Sequence, residues 1–258
     1  MIRFASLGSG SKGNATLIES GENGSDTRIL LDCGFSVVET EKRLLRLGRE
    51  ANTITAIVLT HEHSDHVSGA GRLSRKYNIP VWLTAGTAHA CKDTNYAEMN
   101  FIDSHSSFAI DGIQLHPFPV PHDAREPCQF VFSDGASRLG VVTDLGCYTP
   151  HILRCLDKLD ALLLECNYDR SMLLNGSYPR SLKERVAGHI GHLDNQHATR
   201  LLQELNLSKL KHLIGVHVSE KNNKREFALD ALCQGVNCEK EMVSLASQTK
   251  GFNWREIY

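Results

Sequence analysis

The first third of the chain is built from short apolar runs separated by segments rich in Gly, Ser and Asn. The apolar runs are residues 2–7, 15–20 and 28–32, and the segments between them are 8–14 and 21–26. Such runs, bounded by turn-forming residues, predict strands joined by tight turns. Apolar residues then recur at helical spacing over 37–48, where a terminal glycine ends the predicted helix.

The same alternation continues to the C-terminal third. Further strands are predicted at 54–60, 79–84, 160–165 and 210–218, hairpins with Asp-Gly turns at 108–120 and 129–144, and helices at 68–77 and 195–207. The strands fall into two groups, each followed by helices. This order predicts an α/β fold in which packed sheets carry helices outside them, and no repeat or linker divides residues 1–258 into more than a single domain.

Composition and charge add little preference for a partner. The formal net charge of −2 gives no global attraction to nucleic acid, although a local basic patch remains compatible with it. The eight cysteines form no C-x-x-C pair and several lie in apolar runs, so we interpret most as buried, reduced thiols of a cytoplasmic protein. No segment has the roughly 20 apolar residues of a membrane span. Nothing in the sequence favours a particular oligomeric state.

The densest chemistry is the segment "HEHSDH" at residues 61–66, directly after the predicted strand 54–60. On an extended backbone His61 and His63 point to the same side, and Asp65 and His66 follow where the chain turns into the next helix. Imidazole and carboxylate groups suit zinc and its neighbours among the divalent metals. A solvated histidine-rich loop would not require four such side chains within six positions, so we predict a metal site.

This H-x-H-x-D-H segment resembles the signature of the metallo-β-lactamase superfamily, which implies a four-layer αββα sandwich with metals at one edge. The resemblance implies further ligands after later strands, and His122, Asp144 and His217 stand at such positions. By this resemblance His61, His63 and His122 would hold one metal ion. Asp65, His66 and His217 would hold a second, and Asp144 would bridge the two.

The residue at position 63 helps to indicate which metal the site would bind. Di-iron redox relatives resemble H-x-E-x-D-H, whereas this chain has a histidine at 63 and its glutamate at 62. We therefore expect two zinc or manganese ions, with iron a weaker candidate, and a hydrolase rather than a redox protein. Asp65 is expected to be both ligand and catalytic orienter, and the reaction to use a metal-activated hydroxide.

Three segments resemble the YycJ (WalJ) subgroup of the superfamily: residues 6–20, 162–169 and 188–195. The subgroup implies a phosphodiesterase, most specifically a 5′-to-3′ DNA exonuclease linked to mismatch repair, with the 5′ end of DNA as its partner. Hydrolysis of a small cyclic phosphodiester or thioester stays open as the alternative. The large extra domain of RNA-processing relatives has no counterpart between Asp144 and His217.

Residues for the substrate are predicted from the same segments. Hydroxyl, amide and ammonium groups of the first turn would face a phosphate; these are Ser9, Ser11, Lys12 and Asn14. The turn is equally compatible with a simple hairpin. His192 is expected to bind phosphate or transfer a proton, while its neighbours Asp194 and Asn195 suit a helix N-cap. A basic run, Arg170, Arg180, Lys183 and Arg185, is either a solvated face or a track for a nucleic-acid backbone.

Overall fold

The computed structural model describes residues 1–21, 27–237 and 243–258. The strands in chain order are β1 (Ile2–Gly8), β2 (Ala15–Ser20), β3 (Thr27–Leu31), β4 (Ala56–Val58), β5 (Val81–Thr84), β6 (Met99–Ile102), β7 (Phe108–Ile110), β8 (Ile113–Pro119), β9 (Cys128–Ser133), β10 (Arg138–Val142), β11 (Ala161–Glu165), β12 (His212–Val216), β13 (Val243–Leu245) and β14 (Phe252–Ile257).

The helices lie between these strands, mostly in the parallel regions of the sheets. They are α1 (Val37–Arg46), α2 (Ser64–Val67), α3 (Ala70–Tyr77), α4 (Ala85–Ala90), α5 (Pro150–Cys155), α6 (Arg170–Asn175), α7 (Arg180–Val186), α8 (Asn195–Glu204) and α9 (Arg225–Val236). In the part of the chain that the structure describes, no helix combines the length and apolar character needed to cross a bilayer.

The strands form two seven-stranded sheets of matching design. Their orders are β14-β1-β2-β3-β4-β5-β6 and β13-β12-β11-β10-β9-β8-β7. In each sheet the strands that come first in the chain pair antiparallel and those that follow pair parallel, except that the last strand, β14, pairs antiparallel with β1. Both hairpins predicted with Asp-Gly turns are present: Ile110 faces Ile113 in one, and Ser133 faces Arg138 in the other.

Three apolar cores define four layers. The central core joins inward-facing residues of both sheets, such as Phe4 and Phe130. A second core packs the outer face of the first sheet beneath α1 and α3, and a third packs the other sheet beneath α5, α8 and α9. Successive residues of a strand enter different cores, as Leu163 and Leu164 do, because strand side chains alternate between faces. The predicted αββα sandwich is confirmed.

Several elements were not predicted from the pattern. The edge strands β6, β13 and β14 and the helices α4, α5, α6, α7 and α9 are additions that the structure reveals. β14 pairs with β1 across the length of the chain, Ile257 opposite Ile2. The predicted turn at 21–26 and Cys238 fall at least partly on residues outside those described. Of the seven described cysteines, Cys33, Cys128, Cys166 and Cys233 are buried.

Candidate metal centre

The candidate ligands lie just beyond the carboxyl ends of neighbouring strands. His61 and His63 follow β4, His122 follows β8, Asp144 follows β10, and His217 directly follows β12. Carboxyl ends of parallel strands meet at the same sheet edge, which is where open α/β sheets build their sites. His217 has a left-handed backbone with φ 52°, so the chain turns sharply at that residue and directs its ring into the cluster.

The turn that carries residues 61–66 is held from outside by two other loops. His63 is the N-cap of the short helix α2, which contains Asp65 and His66. The backbone N–H of Asn14 donates to the Asp65 carbonyl at 2.7 Å, and the N–H of Cys33 donates to the His66 carbonyl at 2.7 Å. Such contacts position the turn at 61–66 through the loops that follow β1 and β3 of the first sheet.

Three histidines form the first group. The ring centroids of His61 and His63 are 4.6 Å apart, and that of His122 lies 4.8 Å from His61 and 5.0 Å from His63. The nitrogens that approach each other are His63 Nδ1 and His122 Nε2, 3.2 Å apart. One divalent ion between these rings would have three nitrogen ligands.

The second group combines Asp65, His66 and His217. Asp65 Oδ2 lies 3.5 Å from His66 Nε2 and 3.5 Å from His217 Nε2. The two imidazole rings face each other from different loops, with centroids 5.9 Å apart. These side chains offer one oxygen and two nitrogens to a second ion.

Asp144 lies between the two groups. Its Oδ2 is 3.1 Å from His66 Nε2, and its Oδ1 is 3.7 Å from His122 Nε2. Oδ1 also lies 3.2 Å from His217 Nδ1, so the carboxylate lies close to histidines of both groups. All seven side chains predicted as ligands converge in this arrangement.

The far nitrogens of the histidines are held by oxygen atoms. Asp32 Oδ2 lies 2.7 Å from His66 Nδ1, and Glu165 Oε1 lies 3.0 Å from His217 Nδ1. His122 Nδ1 donates to the Gly191 carbonyl at 3.0 Å. Hydrogen bonds of this kind fix the tautomer and aim the opposite nitrogen at the metal.

Asp32 and Glu165 were missed as site residues by the sequence analysis. Each is a carboxylate at the end of a buried strand, β3 and β11, and neither is more than 1% exposed. Each is a charged residue at the end of an apolar run, and this pattern could have indicated a buried carboxylate that needs hydrogen-bond partners. Their partners lie 34 and 52 residues further along the chain, where no local pattern could have identified them.

Buried atoms without protein partners test whether metal ions fit here. Among the described residues, His61 Nε2, His217 Nε2 and Asp144 Oδ2 are buried and make no hydrogen bond. Leaving buried polar atoms unpaired costs about 1–3 kcal/mol each, so a ligand bound by these atoms would stabilise the folded protein. Divalent cations satisfy nitrogen lone pairs and carboxylate charge at once, and the residues present fit them.

The charge states differ among the candidate ligands. Burial alone would lower the pKa of His66 and His217, but Asp144 and other nearby carboxylates outweigh it and raise the pKa of both rings. Burial lowers the pKa of His61, which keeps its ring neutral and its lone pair free. Burial by itself would raise the pKa of Asp65, but the adjacent His66 and His217 outweigh it and lower that pKa. Neutral imidazole and ionised carboxylate are the forms that coordinate metals.

His192 lies beside the cluster and opens onto solvent. Glu165 Oε1 accepts from its Nδ1 at 2.8 Å, which leaves Nε2 to act on a bound molecule. Burial would lower the pKa of His192, but the Glu165 carboxylate overrides that effect and raises it. The ring lines a cleft of about 340 Å³ together with His63, Asp65, Asp144 and His217.

The first turn differs from its predicted role. Ser9 and Asn14 are buried rather than facing a phosphate. Ser9 Oγ accepts from the His217 N–H at 2.9 Å, and Asn14 Nδ2 lies 3.2 Å from Asp65 Oδ2 and 3.1 Å from His66 Nε2. They support the candidate ligands from behind, because the turn folds back under the cluster. Ser11 does line the cleft.

Lys12, which was also predicted to face a phosphate, does not reach the cleft. Its ammonium pairs with Glu220 at 2.5 Å on the exposed surface, and it is not among the residues that line the cleft. Of the predicted basic run, Arg185 alone lines the cleft, where it bonds Asp123. Arg180 pairs with Glu184 in solvent, so the run splits between the cleft and the outer surface.

The helix cap predicted at residues 194–195 is present. Asp194 is the N-cap of α8, and its carboxylate accepts from the His197 N–H at 2.7 Å. Of the other histidines, His116 contacts Ser107 at 2.7 Å, and His89, His105, His151, His197 and His212 stand outside every metal-competent group of the described residues.

Comparison with known proteins agrees with this fold and site. A family model described as "Beta-lactamase superfamily domain" matches residues 27–218, so the chain belongs to that superfamily. It is a hydrolase of the metallo-β-lactamase fold. The chain is 32% identical over its full length to the exodeoxyribonuclease YycJ of Bacillus anthracis, of which it covers 93%. It is 28% identical over 88% of its length to the exodeoxyribonuclease WalJ of Streptococcus pneumoniae, of which it covers 85%.

Solved structures share the architecture at low sequence identity. The metallo-β-lactamase fold protein YhfI of Bacillus subtilis superposes with a TM-score of 0.75 at 15% identity, covering 99% of this chain and 100% of that one. Zinc-bound PqqB of Methylobacterium extorquens superposes with a TM-score of 0.74 at 15% identity, with the same coverage. The fold implies divalent metal ions, and the histidine and aspartate groups of this chain could bind them.

Proposed function

We propose that this hydrolase is a metal-dependent phosphodiesterase that binds two divalent ions and removes nucleotides from the 5′ end of DNA. The observation that carries the proposal is Asp144, whose carboxylate lies 3.1 Å from His66 of one ligand group and 3.7 Å from His122 of the other. In this proposal His61, His63 and His122 hold one ion, and Asp65, His66 and His217 the other. Zinc or manganese suits this set of nitrogen and carboxylate ligands.

The choice of DNA rests on the relatives and on the lining of the cleft. The relatives that are similar over most of this chain are named exodeoxyribonucleases. Around the candidate ligands the cleft presents neutral hydrogen-bonding groups rather than an apolar surface; these are Ser11, Ser64, Asn167, Tyr178, Ser219 and Asn222. Hydroxyl and amide groups of this kind contact phosphate and sugar oxygens in protein–DNA complexes.

Two bound divalent ions would supply a hydroxide near neutral pH and offset the charge that develops on the phosphate. Asp65 would orient the attacking group, since its side chain lines the cleft. His192 would donate a proton to the departing oxygen through Nε2. Its Nδ1 is held by Glu165 at 2.8 Å, and the raised pKa of His192 keeps a proton available.

The test is a nuclease assay with end-labelled DNA. Purified protein of measured metal content is given manganese or zinc and linear double-stranded DNA that carries a 5′-phosphate and a label at either end. Stepwise loss from the 5′ end is expected. Asp65→Ala should abolish it and lower the bound metal, because both ligand and orienter are removed. Asp103→Ala, which removes an exposed carboxylate, is the matched control.

Other results would redirect or overturn the proposal. Hydrolysis of a small phosphodiester such as bis(p-nitrophenyl) phosphate without attack on DNA would favour a small-molecule hydrolase. An Asp65→Ala protein with full nuclease activity would overturn the site assignment. Release of nucleotides from the 3′ end would retain the site and refute the polarity.

A further inference from the structure

A second cavity of about 490 Å³ lies next to the catalytic cleft and has a different charge. We call it the distal pocket and define it by the lining residues Arg170, His189, His197 and Arg200, together with Gly146 and Tyr168. None of these residues lines the cleft described above. A cavity of this size accommodates one nucleotide.

The charges of the distal pocket favour an anion. Arg170 and Arg200 are exposed and form no ion pair within residues 1–21, 27–237 and 243–258. The lining contains one carboxylate, Asp194, which is already bonded to His197 Nδ1 at 3.0 Å and caps α8. Two guanidinium groups therefore remain available, and guanidinium binds phosphate with paired N–H donors.

The catalytic cleft itself lacks such cations. Its lining has three carboxylates, Asp65, Asp123 and Asp144, and its one arginine, Arg185, is bonded to Asp123. Metal ions would neutralise the phosphate that reacts, but no arginine or lysine among the described lining residues is free to balance the phosphates that follow it. A polynucleotide chain needs a cationic surface beyond the metal centre, since every residue of its backbone carries a charge.

The two cavities are lined by neighbouring residues of the same chain segments. Gly146 lies two residues after Asp144, and Asp194 two residues after His192, so each pair spans at most about 7 Å of backbone. A Cβ at Gly146 would lie 2.3 Å from the His189 carbonyl oxygen, which shows how closely the two segments pack. Residues 187–191, which we call the ridge, connect the two linings: Gly188 and His189 line the distal pocket and Gly191 lines the cleft. His189 is the one ionisable side chain of the ridge.

From this juxtaposition we infer that the distal pocket binds a backbone phosphate of the same polynucleotide, a few nucleotides from the bond that is cleaved. The strand crosses the ridge at 187–191 and its phosphate lies between Arg170 and Arg200. This inference rests on the proposed nuclease function and adds a second binding site to it. A substrate too short to cross the ridge does not use the pocket.

The experiment compares the double variant Arg170→Ala/Arg200→Ala with Arg72→Ala/Arg255→Ala, which removes two exposed arginines that line neither cavity. Both variants lose the same net charge. Steady-state constants are measured on a long 5′-phosphorylated strand, on a dinucleotide and on bis(p-nitrophenyl) phosphate, across a series of salt concentrations.

For the distal-pocket variant we expect KM on the long strand to rise roughly tenfold with little change in kcat, and the slope of log KM against log salt to fall by about 1–2. Constants on the dinucleotide and the small diester should match the wild type. The control variant should resemble the wild type on every substrate.

Each other outcome overturns the inference in a distinguishable way. If the wild type digests DNA but the two double variants behave alike, the distal pocket has no role and the proposed function stands. If the distal-pocket variant also loses activity on the small diester, its arginines are structural. If the wild type hydrolyses the small diester but no DNA, both the proposed function and the inference fail.

Discussion

Glu165→Gln should disable the metal centre while leaving the fold intact. Glu165 accepts four hydrogen bonds: Oε1 from His192 and His217 at 2.8 and 3.0 Å, and Oε2 from the Leu145 and Leu193 N–H groups at 2.9 and 3.0 Å. All four partners are donors. The glutamine carboxamide has the same shape, but only its oxygen accepts hydrogen bonds, whereas its NH2 group donates them. One of the two pairs of partners must therefore change from donors to acceptors.

The backbone pair cannot adapt, because an N–H group is always a donor. The imidazoles can, because a neutral ring can move its proton from Nδ1 to Nε2. The introduced amide group would then donate to both rings, and a hydrogen would occupy the His217 Nε2 atom that faces Asp65. The variant thus keeps four hydrogen bonds but removes a lone pair from the candidate metal site.

The expected magnitude follows from the tautomer that is lost. Changing an outer hydrogen-bond partner of a metal ligand typically costs 10–100-fold in metal affinity or activity. Glu165 serves His217 and His192 together, so we expect the upper end, about 100-fold in turnover, equivalent to about 3 kcal/mol. The melting temperature of the metal-free protein should change little.

The assay measures zinc affinity by competition with a chromophoric chelator and turnover on bis(p-nitrophenyl) phosphate. Glu184→Gln is the matched control, since that carboxylate is 63% exposed and pairs only with Arg180 among the described residues. Metal affinity and turnover within about twofold of wild type in a folded Glu165→Gln protein would refute the argument. Loss of folding in the metal-free variant would instead indicate that the backbone bonds had been broken.

Three further outcomes are expected. Removal of metal by a chelator should lower the melting temperature by about 5–10 °C, because unpaired buried groups lose their ligand; an unchanged value in protein known to have held two ions would contradict the assignment. Burial raises the pKa of the Cys33 thiol to about 12, so at pH 8 only about one Cys33 side chain in ten thousand is a thiolate. Iodoacetamide should therefore modify the half-buried Cys147 before Cys33, as peptide mass spectrometry can establish. Equal rates at the two cysteines would argue against the burial of Cys33. Phe130→Ala opens a cavity between the sheets and should lower the free energy of unfolding by about 3–5 kcal/mol in urea titrations, whereas a loss below about 1 kcal/mol would place the side chain outside the core.

The local pattern of the chain was enough to predict most strands and a metal site at residues 61–66. Strand side chains alternate between the two faces of a sheet, so a strand that is buried on both faces is an unbroken apolar run in the sequence. The residues that follow such runs lie at the edge of the sheet. His61 is of this kind. The resemblance to a known family then supplied His122, Asp144 and His217 as further ligands, and it supplied the αββα arrangement, which the short-range pattern alone left as packed sheets with helices outside.

The tertiary structure decided which groups support those ligands. Asp32 and Glu165 reach histidines 34 and 52 residues away, and Asn14 reaches Asp65 across 51 residues. Ser9 and Asn14 were expected at the substrate but lie behind the cluster, because the turn that carries them folds beneath residues 61–66. The distal pocket likewise joins residues from separate segments of the chain. Hydrogen bonds and charge interactions act through space, so the partner of each polar group depends on how the two sheets bring distant segments together. The local sequence determines only which residue lies at the end of each strand.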